Sequence, residues 1–309
     1  MDDWLSIAIR FALYVDLLLL LGLPAFALMN RTTLLSRSDA QLNVRRFVLG
    51  AAVIGLLISA SSMLVLAKAM SGVTQFSELS QHIFEMILMG TDVGIAWVVR
   101  VVALSAIVIV TFAVQRHTAS SHGVVAALAA IALATVAWSG HGAMDEGARR
   151  YPHLIADILH LFAAAVWVGA LAAFAMLLRR AKTPSFDQLV GLSRALAGFA
   201  MVGTLIVVTL IVTGAVNYWL TVGLSLSPLV SSQYGLLLLA KLCLFFAMLG
   251  LAAANRYHLT PRLEQSIDRG DTRAAVKALR SSLVLETGAA LLILLLVAWL
   301  GVLSPSAPL

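Results

Sequence analysis

Residues 195–217 read ALAGFAMVGTLIVVTLIVTGAVN, an unbroken stretch of 23 residues with no charged side chain, entered directly after Arg194. A helix crossing the hydrocarbon of a bilayer needs about 20 apolar residues at roughly 1.5 Å rise each. The apolar positions are continuous rather than alternating, so the stretch reads as a helix and not as a barrel strand. Working outward from it, runs of the same kind recur at about 5–29, 46–69, 93–114, 122–139, 153–178, 234–254 and 283–303. The expected fold is an all-α integral membrane protein with eight transmembrane helices.

Composition points the same way. The 309 residues are 61% hydrophobic and 12% charged, with a mean hydropathy of +0.97. A soluble domain carries about 25% charged residues, and no single water-soluble core hides this much apolar surface. Membrane lipid is therefore the surrounding expected for nearly the whole chain. Asp2 and Asp3 stand where a basic leader segment would be, and no cleavable signal peptide is expected. The single cysteine, Cys243, lies within a span and excludes an intramolecular disulfide.

Orientation follows from the basic residues of the short loops. Arg31, Arg37, Arg45, Arg46, Arg116, Arg179, Arg180, Lys182, Arg194, Arg256, Arg262, Arg269, Arg273, Lys277 and Arg280 all fall on one side. Only Arg149 and Arg150 fall in the alternate loops. Both termini are therefore expected to be periplasmic. The net charge of +6 and the pI of 9.9 are a topology signal, and no nucleic-acid partner is implied.

The two halves repeat in their small and basic residues. Arg46-x3-Gly50-x4-Gly55 is matched by Arg194-x3-Gly198-x4-Gly203, and Gly94-x5-Arg100 by Gly235-x5-Lys241. Ala137-Trp138-Ser139-Gly140 is matched by Ala298-Trp299-Leu300-Gly301. The order is common to both, which predicts a parallel 4+4 internal repeat with units at 1–139 and 140–309. An even number of helices per unit makes both enter from one side, as in parallel-repeat transporters. Arg100 and Lys241 would be equivalent cations that snorkel outward or pair with a helix carboxylate, Asp16 being the nearest candidate. Asp157 and His160 have only Arg10 and Leu13 opposite them in the first unit, so a site there belongs to the second unit alone.

Chemistry concentrates on the fifth helix and the loop before it. His153, Asp157, His160 and Trp167 fall within roughly an 80° sector at about 100° per residue, with His141 and Met144 at the adjoining helix end. An ionisable side chain inside a membrane is a functional residue by default. Imidazole with thioether suits copper, Cu(I) especially. Asp157 either ligates the metal or holds a histidine ring through its second nitrogen. The candidate metal residues are thus His141, His160, Met144, His153 and Asp157, and the implied bound species is a copper ion. Below His160 the sequence offers little polar character. A second face, His82, Met86 and Met89, lies on a short helix expected to be capped by Ser77 and closed by Gly90; it binds metal or packs into headgroups. Thr213-Gly214-x2-Asn217 reads as a helix-packing segment.

The turn Trp138-Ser139-Gly140-His141, the column Asp157-x2-His160-x6-Trp167-x-Gly169, the segment Thr213-Gly214-x2-Asn217 and Gly235-x5-Lys241 resemble the CopD family of copper-resistance membrane proteins. The resemblance is closest in the second half. It implies a multi-pass protein of the bacterial inner membrane that handles copper and works with a separate periplasmic CopC-like copper chaperone. It carries over family histidines only at His141 and His160. Two other classes stay open: a haem-binding electron carrier, which needs two axial histidines on facing helices, and a copper sensor or assembly subunit that does not transport. No nucleophile, phosphate loop or paired catalytic carboxylates points to an enzyme.

Overall fold

A computed structural model describes residues 2–30, 38–114, 119–140, 142, 145, 147–179, 186–225 and 227–304. The described residues form helices and turns, and eight of the helices are long and apolar enough to cross a membrane. The spanning helices are α1 (Asp2–Met29), α2 (Ser38–Ser71), α4 (Asp92–Ala113), α5 (Ala119–Ala134), α6 (Arg150–Arg179), α7 (Phe186–Thr221), α9 (Gln233–Ala254) and α11 (Arg273–Leu300). Short helices lie between them: α3 (Gln81–Gly90), α8 (Pro228–Ser231) and α10 (Thr260–Arg269). A 3₁₀ segment, Thr135–Ser139, continues α5, and a π-helical turn, Asn255–Leu259, joins α9 to α10.

All eight apolar runs are spans, but several helices outrun them. The hydrophobic run sets where lipid ends, whereas backbone i→i−4 bonds close equally well beyond it. Thus α2 and α7 begin several residues before their apolar stretches, and α11 begins ten before 283.

Helices α1 and α6 cross at the centre of the bundle. Leu17, Leu18 and Leu20 of α1 are wholly buried. The crossing is possible because Gly22 and Gly169 face each other: a Cβ on Gly22 would stand 2.1 Å from the Ala165 carbonyl oxygen and 2.7 Å from the Gly169 Cα. Around this pair, α1 packs on α2, α5 and α11, and α6 packs on α7 and α11. Helix α2 also packs along α4, α4 on α5, and α9 on α11. Helices α7 and α9, by contrast, do not pack closely along their backbones, and a cavity lies between them. The start of α1 and the end of α11 lie at one end of the bundle, where the Trp4 and Trp299 rings are 5.7 Å apart.

The starts of α4 and α9 share one construction. Thr91 Oγ1 accepts from Gly94 N at 3.0 Å and donates to the Ile87 carbonyl at 2.8 Å. Ser232 Oγ accepts from Gly235 N at 3.0 Å and donates to the Pro228 carbonyl at 2.7 Å. In each, a short helix (α3 or α8) folds down onto the cap glycine. A Cβ would meet the Ile87 oxygen at 2.0 Å from Gly94 and the Pro228 oxygen at 2.1 Å from Gly235. A hydroxyl cap followed by a glycine is what a sharp turn into a helix requires.

Two sequence expectations change. Ser77 does not cap α3. The Glu78 carboxylate instead accepts from Thr74 N at 3.1 Å and Gln75 N at 3.4 Å, which folds Phe76–Glu78 into its own 3₁₀ turn and starts α3 after Ser80. Gly90 does close it, and His82, Met86 and Met89 share its exposed face. Arg100 does not snorkel: it is 4% exposed, and neither it nor Lys241 forms an ion pair with Asp16. Asp16 turns instead against Gly55, where a Cβ would stand 2.6 Å from its Oδ2.

Candidate metal centre

Helix α6 carries the column as its periodicity predicts. His153, Asp157 and His160 line one chamber of about 220 Å³ near the end of the bundle where α1 starts and α11 ends. The opposite wall supplies Arg10 and Tyr14 from α1, Asn217 from α7, and Tyr234 and Lys241 from α9.

Each ring of the column is held through its Nδ1. Thr213 Oγ1 donates to the Thr209 carbonyl at 2.6 Å, so toward His160 Nδ1, 2.9 Å away, it acts as the acceptor. His160 therefore carries its proton on Nδ1 and keeps the Nε2 lone pair. His153 is 2% exposed, and its Nδ1 donates to Asp145 Oδ2 at 2.8 Å. Its Nε2 has only a long contact of 3.4 Å with Thr221 Oγ1. A carboxylate or hydroxyl on one ring nitrogen fixes the tautomer and raises the basicity of the other, as at metal-bound histidines.

Asp157 is not the hydrogen-bond partner of either ring. Its Oδ1 accepts from Asn217 Nδ2 at 2.7 Å, while Asp145 orients His153 and Thr213 orients His160. That hydrogen bond also sets the Asn217 amide, whose Oδ1 is buried without a partner. Asp157 Oδ2 turns up under the chain: a Cβ on Gly142 would approach it to 3.0 Å, and one on Gly140 to 3.6 Å. His141 and Met144 lie outside the described residues. Among the described residues no group of three or more His, Cys, Asp and Glu side chains is arranged to hold a metal. His153 and His160 stand on the same helix and cannot clasp a haem between them.

Arg10 seals one wall. Its Nη1 donates to the Ser139 carbonyl at 3.3 Å, and its guanidinium lies against Gly301, so it bridges the ends of α5 and α11. A cation is favoured there because both helix ends present unpaired carbonyls.

Because α7 and α9 stand apart, the site also opens sideways into a cavity of about 380 Å³. His160 and Lys241 line both spaces, and Trp167 and Phe245 floor the lateral one. Lys241 thus points inward rather than snorkelling away. Thr213 and Asn217, read from sequence as packing residues, are the side chains that orient His160 and Asp157; their place in the family-like motif was the available signal. Asp145 was missed, because eight residues of chain separate it from the ring it holds.

Comparison with known proteins bears on what this chamber handles. Residues 1–151 match the family described as Copper resistance protein D-like, N-terminal domain, and residues 193–300 match the family described as Copper resistance protein D. Most of α6 lies between the two matched stretches. The chain is 47% identical over 306 residues to Copper resistance protein D of Pseudomonas syringae pv. tomato, covering 99% of this chain and 98% of that protein. It is 28% identical over 263 residues to Inner membrane protein YebZ of Escherichia coli (strain K12), covering 85% and 87%. No solved structure matches.

Proposed function

The chain belongs to the copper resistance protein D family, and from that premise we propose that it accepts copper at the periplasmic face of the inner membrane for movement across it. Copper is here the cargo. The multi-pass helical bundle and the family's association with copper are the ground on which the finer reading stands.

The observation that carries the proposal is the state of His160. Its Nδ1 is committed to Thr213, and its Nε2 is left to face a chamber inside the span. An imidazole in such surroundings is stable only when turned inward and given a partner. His141 is bonded between Gly140 and Gly142, both of which lie over Asp157. We assign His141 and His160 as principal ligands, with Met144 or His153 completing the shell; His153 joins by giving up its weak Thr221 contact. Asp157 supplies negative charge beside the cation. Imidazole and thioether donors favour copper over hard cations.

The same reading places both termini in the periplasm and takes copper from a separate CopC-like chaperone docking over the 140–152 loop. The matched caps at Gly94 and Gly235 support a duplicated 4+4 unit, of which only the second carries the metal column. A test is metal analysis of the purified protein beside its optical spectrum. Copper retained by the parent and lost from His141→Ala and His160→Ala, with no Soret band, is the expected result. A haem spectrum, or copper unaffected by both substitutions, would overturn it.

A further inference from the structure

The sequence shows little below His160, but the fold fills that gap. Beyond Trp167 lies a second cavity of about 300 Å³, in the half of the bundle away from the start of α1 and the end of α11. Trp167 lines both it and the lateral cavity, is 7% exposed, and meets Phe245 edge to face at 6.1 Å. Trp167 is the ring that stands between the chambers, with Phe245 against it on the lateral side.

The polar groups of the inner chamber come from residues far apart in sequence. Glu286 of α11 is 2% exposed, and its Oε1 accepts from Asn255 Nδ2. Asn255 is 8% exposed, and its Oδ1 is buried with no partner. It opens the π-helical turn Asn255–Leu259, which turns Asn255 inward while Arg256, Tyr257 and His258 are exposed. Single π turns inside α-helices are frequent at functional sites. Arg256 is the other charged side chain lining the chamber, and its Nη1 bonds to another part of the same wall rather than to Glu286: it donates to Thr204 Oγ1 at 2.8 Å and to the Ala200 carbonyl at 3.2 Å.

A carboxylate 2% exposed, shut away from water, is costly as a bare anion and needs a proton or a cation. The donors here are carboxylate, amide and hydroxyl oxygens, with no imidazole or sulfur, a set that suits hard ions and not copper. We propose that Glu286, oriented by Asn255, is a proton-binding site on the far side of Trp167 from the copper chamber, taking up and releasing a proton at its carboxylate. Its use would be to couple proton movement to copper movement. That use rests on the transport reading above, but the site itself does not.

Infrared difference spectroscopy on the purified full-length protein across a pH step tests it directly. The parent should show a protonated carboxyl band that shifts in heavy water and disappears as the proton leaves. Glu286→Gln, which keeps shape and the Asn255 contact, should lack that band, and Asn255→Leu should move it. A band that survives in Glu286→Gln, or its absence from the parent at every pH, would overturn the proposal. Loss of the band on adding sodium at constant pH would assign the site to sodium and overturn the proton assignment. In vesicles containing a pH dye, Glu286→Gln should bind copper as the parent does, yet lose copper uptake and its accompanying pH change down to the protein-free background. Uptake and pH change equal to the parent's would also overturn the proposal. Parent vesicles that take up no copper would sink the transport reading, while the infrared result still decides the site.

Discussion

Gly22 of α1 and Gly169 of α6 touch backbone to backbone: a Cβ on Gly169 would lie 2.4 Å from the Gly22 Cα and 2.2 Å from its carbonyl carbon. Within a membrane there is no hydrophobic drive to bring helices together, so close packing at small residues carries much of the association. This contact fixes the distance between the two halves of the molecule, and therefore the height at which α6 presents its column to the wall formed by α1.

The first prediction concerns that contact. Gly169→Ala and Gly22→Ala should each lower stability by about 1–3 kcal/mol, the range for overpacking a tight interior. Gly50 and Gly198 meet nothing within 4 Å, and their alanine variants should unfold as the parent does. Thermal unfolding of the purified proteins in detergent checks this. Equal midpoints for Gly169→Ala and Gly198→Ala would show that the crossing is loose.

The second concerns the paired caps. Gly94→Ala and Gly235→Ala drive a methyl into the carbonyls of Ile87 and Pro228, so both should destabilise, and by similar amounts. Thr91→Ala and Ser232→Ala should each cost about 0.5–2 kcal/mol through the lost cap. A large effect in one half with none in the other would argue against a shared ancestry of the two units. A structure in which α1–α5 failed to superpose on α6–α11 by rotation about the membrane normal, with Arg100 over Lys241, would remove the duplication.

Much of this was legible from the chain alone, for a physical reason. Hydropathy reports what faces lipid, and lipid contact decides the existence of every span; helical periodicity then puts His153, Asp157 and His160 on one face. What hydropathy does not report is which spans fail to pack closely. The gap between α7 and α9 arises from the packing of all eight helices, and it is what joins His160 to Lys241 and opens the space toward Trp167. Asn255 and Glu286 are 31 residues apart in sequence and met only through that packing and the π turn. Asp145 was hidden differently: it lies in a loop, where no period ties it to a ring on the next helix.

A third prediction tests topology. In a background with Cys243 replaced, Ser306→Cys should react with an impermeant thiol reagent in intact spheroplasts and Ser120→Cys should be protected. The reverse pattern would turn the molecule over and put the His160 chamber on the cytoplasmic side. The basic residues give the expected direction, because charge in short loops resists translocation.

The fourth concerns the hydroxyl behind His160. Thr213→Val keeps the β-branched shape but removes the acceptor for Nδ1–H, leaving the ring free to turn and its tautomer unset. Copper affinity, read by competition with a chelator, should fall by about 10–100-fold, the range for losing a group that orients a ligand. Helix packing should be unchanged, since the lost hydroxyl otherwise bonds only within its own helix, at the carbonyls of Thr209 and Leu210. An unaltered affinity in Thr213→Val would mean that His160 does not bind the metal through Nε2.

The last prediction is the metal site itself. His141 and His160 differ in what their loss should do beyond copper binding. His160 is bonded to Thr213, so His160→Ala leaves a hydroxyl that still donates to the Thr209 carbonyl and a small enlargement of an existing chamber; the protein should insert and fold. His153→Ala, by contrast, takes a ring partner from Asp145, leaving it Arg149 at 4.0 Å, and opens a hole at a buried position, so it should cost stability as well as binding. Asp157→Asn removes the chamber's negative charge and presents an amide to Asn217, so it should weaken copper binding by about 10–100-fold without releasing haem or any other chromophore. His117 and His258, expected from the sequence on the side opposite the site, should be replaceable by alanine without effect on copper. The decisive comparison is the pair His141→Ala and His160→Ala in purified, folded protein. If each binds copper as tightly as the parent, the metal is held elsewhere, and the exposed His82, Met86 and Met89 face of α3 becomes the place to look.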